Sequence, residues 1–128
     1  MIVVDSSALV AVILSEPDSS RLEQLLVSRQ SLIGAPNLFE TRLVLSRRNP
    51  NAIQALDIII ATVRMEVAPF DAALVPIAQD AYWRFGKGRH PAALNFGDCM
   101  AYALAKSRDA PLLFKGNDFA LTDIEAAI

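Results

Sequence analysis

The sequence predicts an α/β fold in which helices cover both faces of a parallel sheet. Short apolar runs rich in Val, Ile and Leu alternate with longer stretches of helical spacing. Because helices separate the strands, the connections must be crossovers, and crossovers join parallel strands. The runs are continuously apolar rather than alternating, which indicates strands buried on both faces. The expected architecture is a three-layer α/β/α sandwich.

Breaks in these patterns mark where each element begins and ends. Pro17 and Pro36 suit first helical positions, whereas Asn49-Pro50-Asn51 breaks a helix. Asp71 suits a helix N-cap, and Gly86–Pro91 forms a loop. The predicted order is strand Ile2–Val4, helix Ala8–Leu14, a helix from Pro17 to Arg29, strand Ser31–Ala35, a helix opened by Pro36, helix Ala52–Thr62, a strand around Glu66–Ala68, a helix from Asp71 to Phe85, helix Phe96–Lys106 and strand Leu112–Phe114.

Length and composition limit the possible classes of protein. A chain of 128 residues fits one domain, over residues 1–128, and its 53% hydrophobic content is enough for a packed core. The longest apolar runs, such as Ile58–Val63, are too short to span a membrane, and no secretory leader is recognisable. Cys99 is the only cysteine, so no intrachain disulfide can form. We expect a cytoplasmic protein in which Cys99 is a small buried side chain.

The net charge of −2 by itself argues weakly against a non-specific nucleic-acid binder. This argument fails if several acidic residues form one metal site, because bound cations would cancel their charge. The positions of the acidic residues are therefore more informative than the sum of charges.

Four acidic residues fall where the carboxyl ends of parallel strands would place them at one edge. Asp5 ends the first strand, and Glu40 follows the second in the first turns of a helix. Asp98 opens the helix after the Gly86–Pro91 loop, and Asp118 lies beyond the last strand. Ligands of open α/β sheets bind beyond this edge.

Helix capping is the simplest alternative explanation for these acidic residues. It suits Asp5 and Asp98, and a turn suits Asp118, but Glu40 is flanked by Leu38, Phe39 and Leu43. One shared acidic site explains the pattern better than separate caps. Carboxylates suit Mg²⁺, whereas zinc would need ligands beyond His90 and Cys99. Metal-assisted phosphodiester hydrolysis is the chemistry that fits best.

Four segments resemble PIN domains, in particular the VapC toxins of bacterial toxin–antitoxin pairs. They are Ile2-Val-Val-Asp5-Ser-Ser-Ala-Leu9, Leu38-Phe-Glu40-Thr-Arg-Leu-Val44, the stretch from Arg84 to Leu104 around Asp98, and Leu113-Phe-Lys-Gly-Asn-Asp-Phe119 with Thr122-Asp-Ile124. The segments occur in order and span essentially the whole chain.

This resemblance implies a PIN-like fold and an endoribonuclease that depends on Mg²⁺ or Mn²⁺. It also implies a homodimer and a hetero-oligomer with a VapB-type antitoxin that inhibits the enzyme. By motif, Asp5, Glu40 and Asp98 match the residues that hold metal. The fourth acidic position is assigned to Asp118, with Asn117 and Asp123 as alternatives, and Ser7 matches a hydroxyl residue beside the metal.

A basic loop precedes the third acidic motif and is the predicted phosphate-binding element. It contains Lys87, Arg89 and His90, with Arg84 just upstream; Arg42, Arg47 and Lys115 are the alternatives. Of the nearby aromatic residues, Trp83 is expected to be exposed, whereas Tyr82 and Phe85 suit core or dimer contacts.

Three other functions are weighed against a nuclease. A haloacid-dehalogenase-like phosphatase would need a second Asp two residues after Asp5, where Ser7 stands. A receiver module would need a phosphoacceptor Asp after the third strand, and Pro69-Phe70-Asp71 fits poorly. A catalytically inactive PIN scaffold that acts through a protein partner is disfavoured because all four acidic residues are present.

Overall fold

The computed structural model describes residues 1–128 and contains one four-stranded parallel sheet in the order β3-β2-β1-β4. The predicted parallel sheet is therefore confirmed. The strands are β1 (Ile2–Val4), β2 (Ser31–Gly34), β3 (Glu66–Ala68) and β4 (Leu112–Leu113). The helices are α1 (Ser6–Ile13), α2 (Ser19–Ser28), α3 (Ala35–Arg48), α4 (Ala52–Val63), α5 (Val75–Phe85) and α6 (Phe96–Ser107), with short 3-10 turns at Ala72–Leu74 and Phe119–Leu121.

Two apolar cores, one on each face of the sheet, make the molecule a three-layer sandwich, as predicted. Successive strand residues point to opposite faces. Val3 and Leu32 pack with α5 and α6, whereas Ile2, Val4 and Ile33 pack with α1 to α4. Because β1 and β2 are buried on both sides, the side chains that follow them are held at a fixed edge.

The structure differs from the predicted elements in several details. Pro17 lies outside α2, because Asp18 takes a left-handed conformation (φ 70°) and its side chain does not cap the helix. Asp71 caps the 3-10 turn before α5 by accepting a hydrogen bond from Ala73 N at 3.1 Å. Val67 in β3 is 42% exposed, whereas Leu112 and Leu113 of β4, the other edge strand, are buried. Burial of both faces therefore holds for β1, β2 and β4 but not for β3.

The structure also bears on two expectations from composition. None of the helices combines the length and hydropathy that crossing a bilayer requires. Cys99 is buried, as expected, and burial raises the pKa of its thiol to about 11.

Candidate acidic active site

Asp5 lies directly between β1 and α1 and is only 3% exposed. Its Oδ2 accepts a hydrogen bond from Ser7 N at 3.0 Å, which caps α1, while its Oδ1 is buried without any partner. Burial raises the pKa of Asp5 to about 6 against the lowering effect of Ser7, and the charges of Asp98 and Glu40 add to the rise. Capping therefore accounts for one oxygen of this carboxylate and leaves the other unexplained.

Glu40 lies on α3 and is oriented by Ser6. The Ser6 hydroxyl donates to Glu40 Oε1 at 2.6 Å. The apolar residues that flank Glu40 in sequence do not enclose it, because Phe39 is 62% and Leu43 40% exposed. Successive helical residues face different directions, so apolar neighbours in sequence need not surround it.

Gly97 allows Glu40 to approach α6 closely. A Cβ at Gly97 would lie 2.6 Å from Glu40 Oε2 and 2.9 Å from Oε1. The carbonyl of Gly97 accepts a hydrogen bond from the buried Asn37 side chain at 3.0 Å, which joins α3 to α6. The start of α6 and the carboxylate of Glu40 are thus held against each other.

Asp98 is the third residue of α6 and forms a capping box with Asn95. Asp98 N donates to Asn95 Oδ1 at 2.9 Å, and Asn95 N donates to Asp98 Oδ2 at 3.0 Å. Burial raises the pKa of Asp98, and the charges of Asp118 and Glu40 raise it further. The hydrogen bond from Asn95 N lowers this pKa and so opposes the rise. Asp98 can therefore cap α6 and belong to the acidic group at the same time.

The fourth acidic position falls in the turn after β4, where the three candidates point to different places. Asp118 is exposed, and its charge acts on Asp98. Asn117 lines a separate pocket beside Asp18 and Arg21. Asp123 accepts a hydrogen bond from the Tyr102 hydroxyl at 2.6 Å and does not line the pocket that contains Asp5, Glu40 and Asp98. Of the three, Asp118 is the one that acts on the acidic group.

Asp5, Glu40 and Asp98 share an open pocket of about 370 Å³, which Asp118 does not line. It is lined by Asp5, Glu40 and Asp98 together with Ser6, Ser7, Asn95, Glu16, Arg48, Lys115 and other residues. No group of three or more His, Cys, Asp or Glu side chains is arranged to hold a metal ion. One oxygen each of Asp5, Glu40 and Asp98 is already bonded to Ser7, Ser6 or Asn95.

Comparison with known proteins decides the family. Residues 2–125 match the family described as PIN domain. The chain belongs to the PIN-domain family. Within that family it is similar to proteins named VapC. Ribonuclease VapC of Mycolicibacterium smegmatis is 41% identical over 126 residues, covering 97% of this chain and 98% of the relative. Ribonuclease VapC28 of Mycobacterium tuberculosis is 40% identical over 129 residues, covering 98% and 97%.

Two solved structures share the fold of this PIN domain. VapC20 of Mycobacterium tuberculosis, described as a sarcin-ricin-loop-cleaving toxin, has a TM-score of 0.78 at 20% identity and covers 97% of this chain and 96% of its own. VapBC2 of Rickettsia felis, bound to a DNA fragment from its promoter, has a TM-score of 0.75 at 20% identity, with coverage of 98% and 97%. The PIN-like fold expected from the sequence is confirmed.

The basic loop of the PIN domain does not line the acidic pocket. Arg84 pairs with Asp80 at 3.3 Å and with Asp123 at 3.1 Å. Arg89 lies 5.7 Å above the Trp83 ring, and Trp83 is 62% exposed, as expected. His90 Nδ1 accepts a hydrogen bond from Ala92 N at 3.0 Å within the loop, and Lys87 is exposed.

Sequence reasoning missed several polar residues that shape the acidic pocket. Ser6 and Asn37 became visible only through their contacts with Glu40 and Gly97. Asn95 carried a readable signal, since Asn followed three residues later by an acidic residue is a capping-box pattern. Arg48 and Glu16 carried no such signal, because neither belongs to an acidic motif or to a capping pattern.

Proposed function

We propose that this PIN domain is a metal-dependent endoribonuclease that hydrolyses RNA phosphodiester bonds. The observation that carries the proposal is the buried carboxylate of Asp5, which has one oxygen without a partner and lines a pocket together with Glu40 and Asp98. A buried charge normally requires an opposite charge, and a cation meets that requirement here. The relatives named Ribonuclease VapC support RNA as the substrate.

The chemistry of the donors suits Mg²⁺ or Mn²⁺, which take carboxylate oxygens and retain water ligands, although no three of these side chains are arranged around one point. Asp5, Glu40 and Asp98 would hold the metal, with Asp118 completing the set. When bound, the metal supplies Lewis-acid stabilisation of the phosphate and lowers the pKa of water. The chain's own contribution is orientation, because Ser7, Ser6 and Asn95 each fix one oxygen of an acidic residue. The second oxygens of Asp5, Glu40 and Asp98 accept no hydrogen bond from the chain.

Cleavage of RNA with and without metal tests this proposal. The purified protein should cleave RNA with Mg²⁺ or Mn²⁺ and stop in EDTA. Asp5→Ala and Asp98→Ala should each abolish cleavage, whereas Asp57→Ala, an exposed acidic residue outside the pocket, should not. A folded parent without metal-dependent cleavage would favour the alternative of an inactive scaffold acting through a partner.

The chain is also proposed to be the toxin of a toxin–antitoxin pair. The support is the VapC relatives and the structural similarity to VapBC2. A VapB-type antitoxin would inhibit it by placing a C-terminal segment over the pocket, with an Arg or Lys reaching the carboxylates in a toxin–antitoxin hetero-oligomer. Expression of this chain alone should arrest bacterial growth, and Asp98→Asn should not. If the parent and Asp98→Asn were equally toxic, growth arrest would not depend on the acidic site.

Assembly and location form a further part of the proposal. Residues 1–128 would act as one domain in the cytoplasm and as a homodimer. Val75, Tyr82 and Phe96 support a dimer, because they expose apolar surface around a groove between α5 and α6. Sedimentation of the parent and of Phe96→Ser tests this, since the variant should be more monomeric.

The basic loop keeps a proposed role in binding RNA away from the cleaved bond. Lys87 and Arg89 are exposed beside Trp83, which offers a surface for base stacking. Arg84 and His90 belong to the same predicted RNA-binding set, although Arg84 already pairs with two carboxylates.

A further inference from the structure

Two cationic side chains line the same pocket as the acidic residues. They are Lys115, just after β4, and Arg48, at the end of α3. Glu16 lies between them. Its Oε1 is 3.5 Å from Lys115 Nζ, and its Oε2 is 3.7 Å from Arg48 Nη1. One carboxylate therefore bridges two cations at the rim of the pocket.

This bridge is loose. Charge-assisted hydrogen bonds between N–H donors and carboxylates are about 2.7–2.9 Å long, so both contacts exceed the length of a well-formed bond. The side chains of Lys115 and Glu16 are 29% and 26% exposed, and that of Arg48 is 56% exposed. Pairs of this kind contribute little and exchange readily with another anion.

The position of Lys115 is fixed relative to the acidic group. Its backbone N–H donates to Ser7 Oγ at 3.0 Å, and Ser7 N in turn donates to Asp5. Arg48 lies on the same helix as Glu40, eight residues further on, which is about 12 Å along the axis. The acidic residues and the two cations thus occupy different parts of one pocket.

We infer that Lys115 and Arg48 bind a backbone phosphate of the RNA next to the cleaved bond, and that Glu16 occupies these cations in the free protein until the phosphate displaces it. This inference rests on the proposed function. A phosphodiester and a carboxylate both present oxygen anions to Lys and Arg. Contacts to phosphate position a strand without choosing its sequence.

The test compares variants of Lys115, Arg48 and Glu16 with variants of a matched ion pair elsewhere on the surface. Lys115→Met keeps the aliphatic stem and the N–H that Ser7 accepts, and Arg48→Gln and Glu16→Gln remove one charge each. The controls are Arg42→Gln and Asp57→Asn, from an exposed pair at 2.8 Å. Arg42 is a sequence-based alternative for phosphate binding, but it pairs with Asp57 and does not line the pocket. Binding of two unrelated single-stranded RNAs is measured at several salt concentrations, with Ca²⁺ to neutralise the acidic residues. Recovery of intact RNA shows that binding alone is measured.

The two cation variants should weaken binding of both RNAs equally and reduce the salt slope by about 0.7 each. Glu16→Gln should tighten binding, by a factor of about 2 to 5, which is the range for a partly exposed ion pair. The control variants should leave the affinity and the slope unchanged. Melting temperatures close to that of the parent show that each variant is folded.

Several results would overturn the inference. One is an unaltered salt slope in Lys115→Met and Arg48→Gln, and another is an equal loss in Arg42→Gln. Weaker binding by Glu16→Gln would mean that this carboxylate organises the cations instead of occupying them. If the parent binds RNA with this pattern but never cleaves it, the proposed nuclease function is wrong and the phosphate site is supported. If the parent cleaves RNA but the Lys115 and Arg48 variants bind it normally, the phosphate site is wrong and the nuclease function is supported. A parent that binds no RNA contradicts both.

Discussion

Gly97 lies against the carboxylate of Glu40, and a Cβ there would come within 2.6 Å of Oε2. The obstructing atoms are the far end of a flexible side chain, so Gly97→Ala should swing Glu40 away and leave α6 intact. Because small displacements of a reacting group can cost about a hundredfold, cleavage should fall by roughly that factor. The melting temperature should stay the same or rise, since Ala favours a helix over Gly. If the folded variant cleaves RNA as fast as the parent, the close approach of Gly97 to the Glu40 carboxylate is not needed for cleavage.

Asp5 gives a pH dependence whose sign follows from burial. Its folded pKa of about 6 exceeds the ordinary 3.8. The folded state therefore binds the proton of Asp5 more tightly than the unfolded state does. The contribution of this proton to the free energy of unfolding is complete below pH 3.8 and is lost as the pH rises through about 6. The rise corresponds to roughly 3 kcal/mol.

Asp5→Asn removes the charge and keeps a good N-cap residue. In EDTA, the variant should melt above the parent at pH 8, and the difference should shrink towards pH 4. Thermal melts across this range provide the measurement. A constant difference between the two proteins would mean that the carboxylate of Asp5 carries no burial penalty.

At the scale of elements, α5 and α6 are joined to the C-terminal segment by an ionic cluster of Arg84, Tyr102, Lys106 and Asp123. Asp123 accepts from Tyr102 at 2.6 Å and from Arg84 at 3.1 Å, and it lies 3.3 Å from Lys106 Nζ. Although burial alone would raise the pKa of Asp123, these three donors lower it. The stability that the lowered pKa provides is present at neutral pH and lost in acid.

Tyr102→Phe tests the structural role of this cluster. Tyr102 is 1% exposed, and the variant loses a hydrogen bond to a charged acceptor while its ring stays packed. The free energy of unfolding should fall by about 1–2 kcal/mol, whereas Arg42→Gln, which breaks an exposed surface pair, should cost less than about 1 kcal/mol. Denaturant unfolding measures both. Equal, negligible losses would show that the cluster contributes no more than a surface pair.

At the scale of the whole molecule, bound metal should stabilise the folded state. A cation that binds only the folded protein adds about 2.7 kcal/mol at a hundredfold excess over its Kd. Beyond burial, the charges of Asp98 and Glu40 raise the pKa of Asp5, and the charges of Asp118 and Glu40 raise that of Asp98; a bound cation would relieve this repulsion. Millimolar Mg²⁺ or Mn²⁺ should therefore raise the melting temperature of the parent by several degrees.

Asp98→Asn separates repulsion from capping in the same experiment. If repulsion dominates, the variant should melt above the parent in EDTA and respond less to metal. If the capping box dominates, it should melt below the parent, because losing a cap costs about 1 kcal/mol. A lowered melting temperature, together with no metal response in the parent, would leave the shared acidic site unsupported.

The sequence by itself determined the parallel sheet, the helical layers and the edge at which the acidic residues lie. These follow from local periodicity and from the need for crossover connections, which are readable along the chain. It did not reveal that Ser6, Asn37 and Gly97 set the position of Glu40. Those contacts join residues far apart in sequence, and the Ser6–Glu40 bond spans 34 positions.

Tertiary structure alone decided which charges meet. Arg84, which belongs to the predicted RNA-binding set, pairs with Asp123, 39 residues away, whereas Arg48 and Lys115 line the acidic pocket. The same packing draws Asp123 to Tyr102 and leaves Asp118 to act on Asp98. The direction of a charged side chain depends on how distant helices pack, because its partners come from those helices. Local periodicity identifies the buried face of a helix or strand, but it does not identify the charged residues that other elements bring next to it.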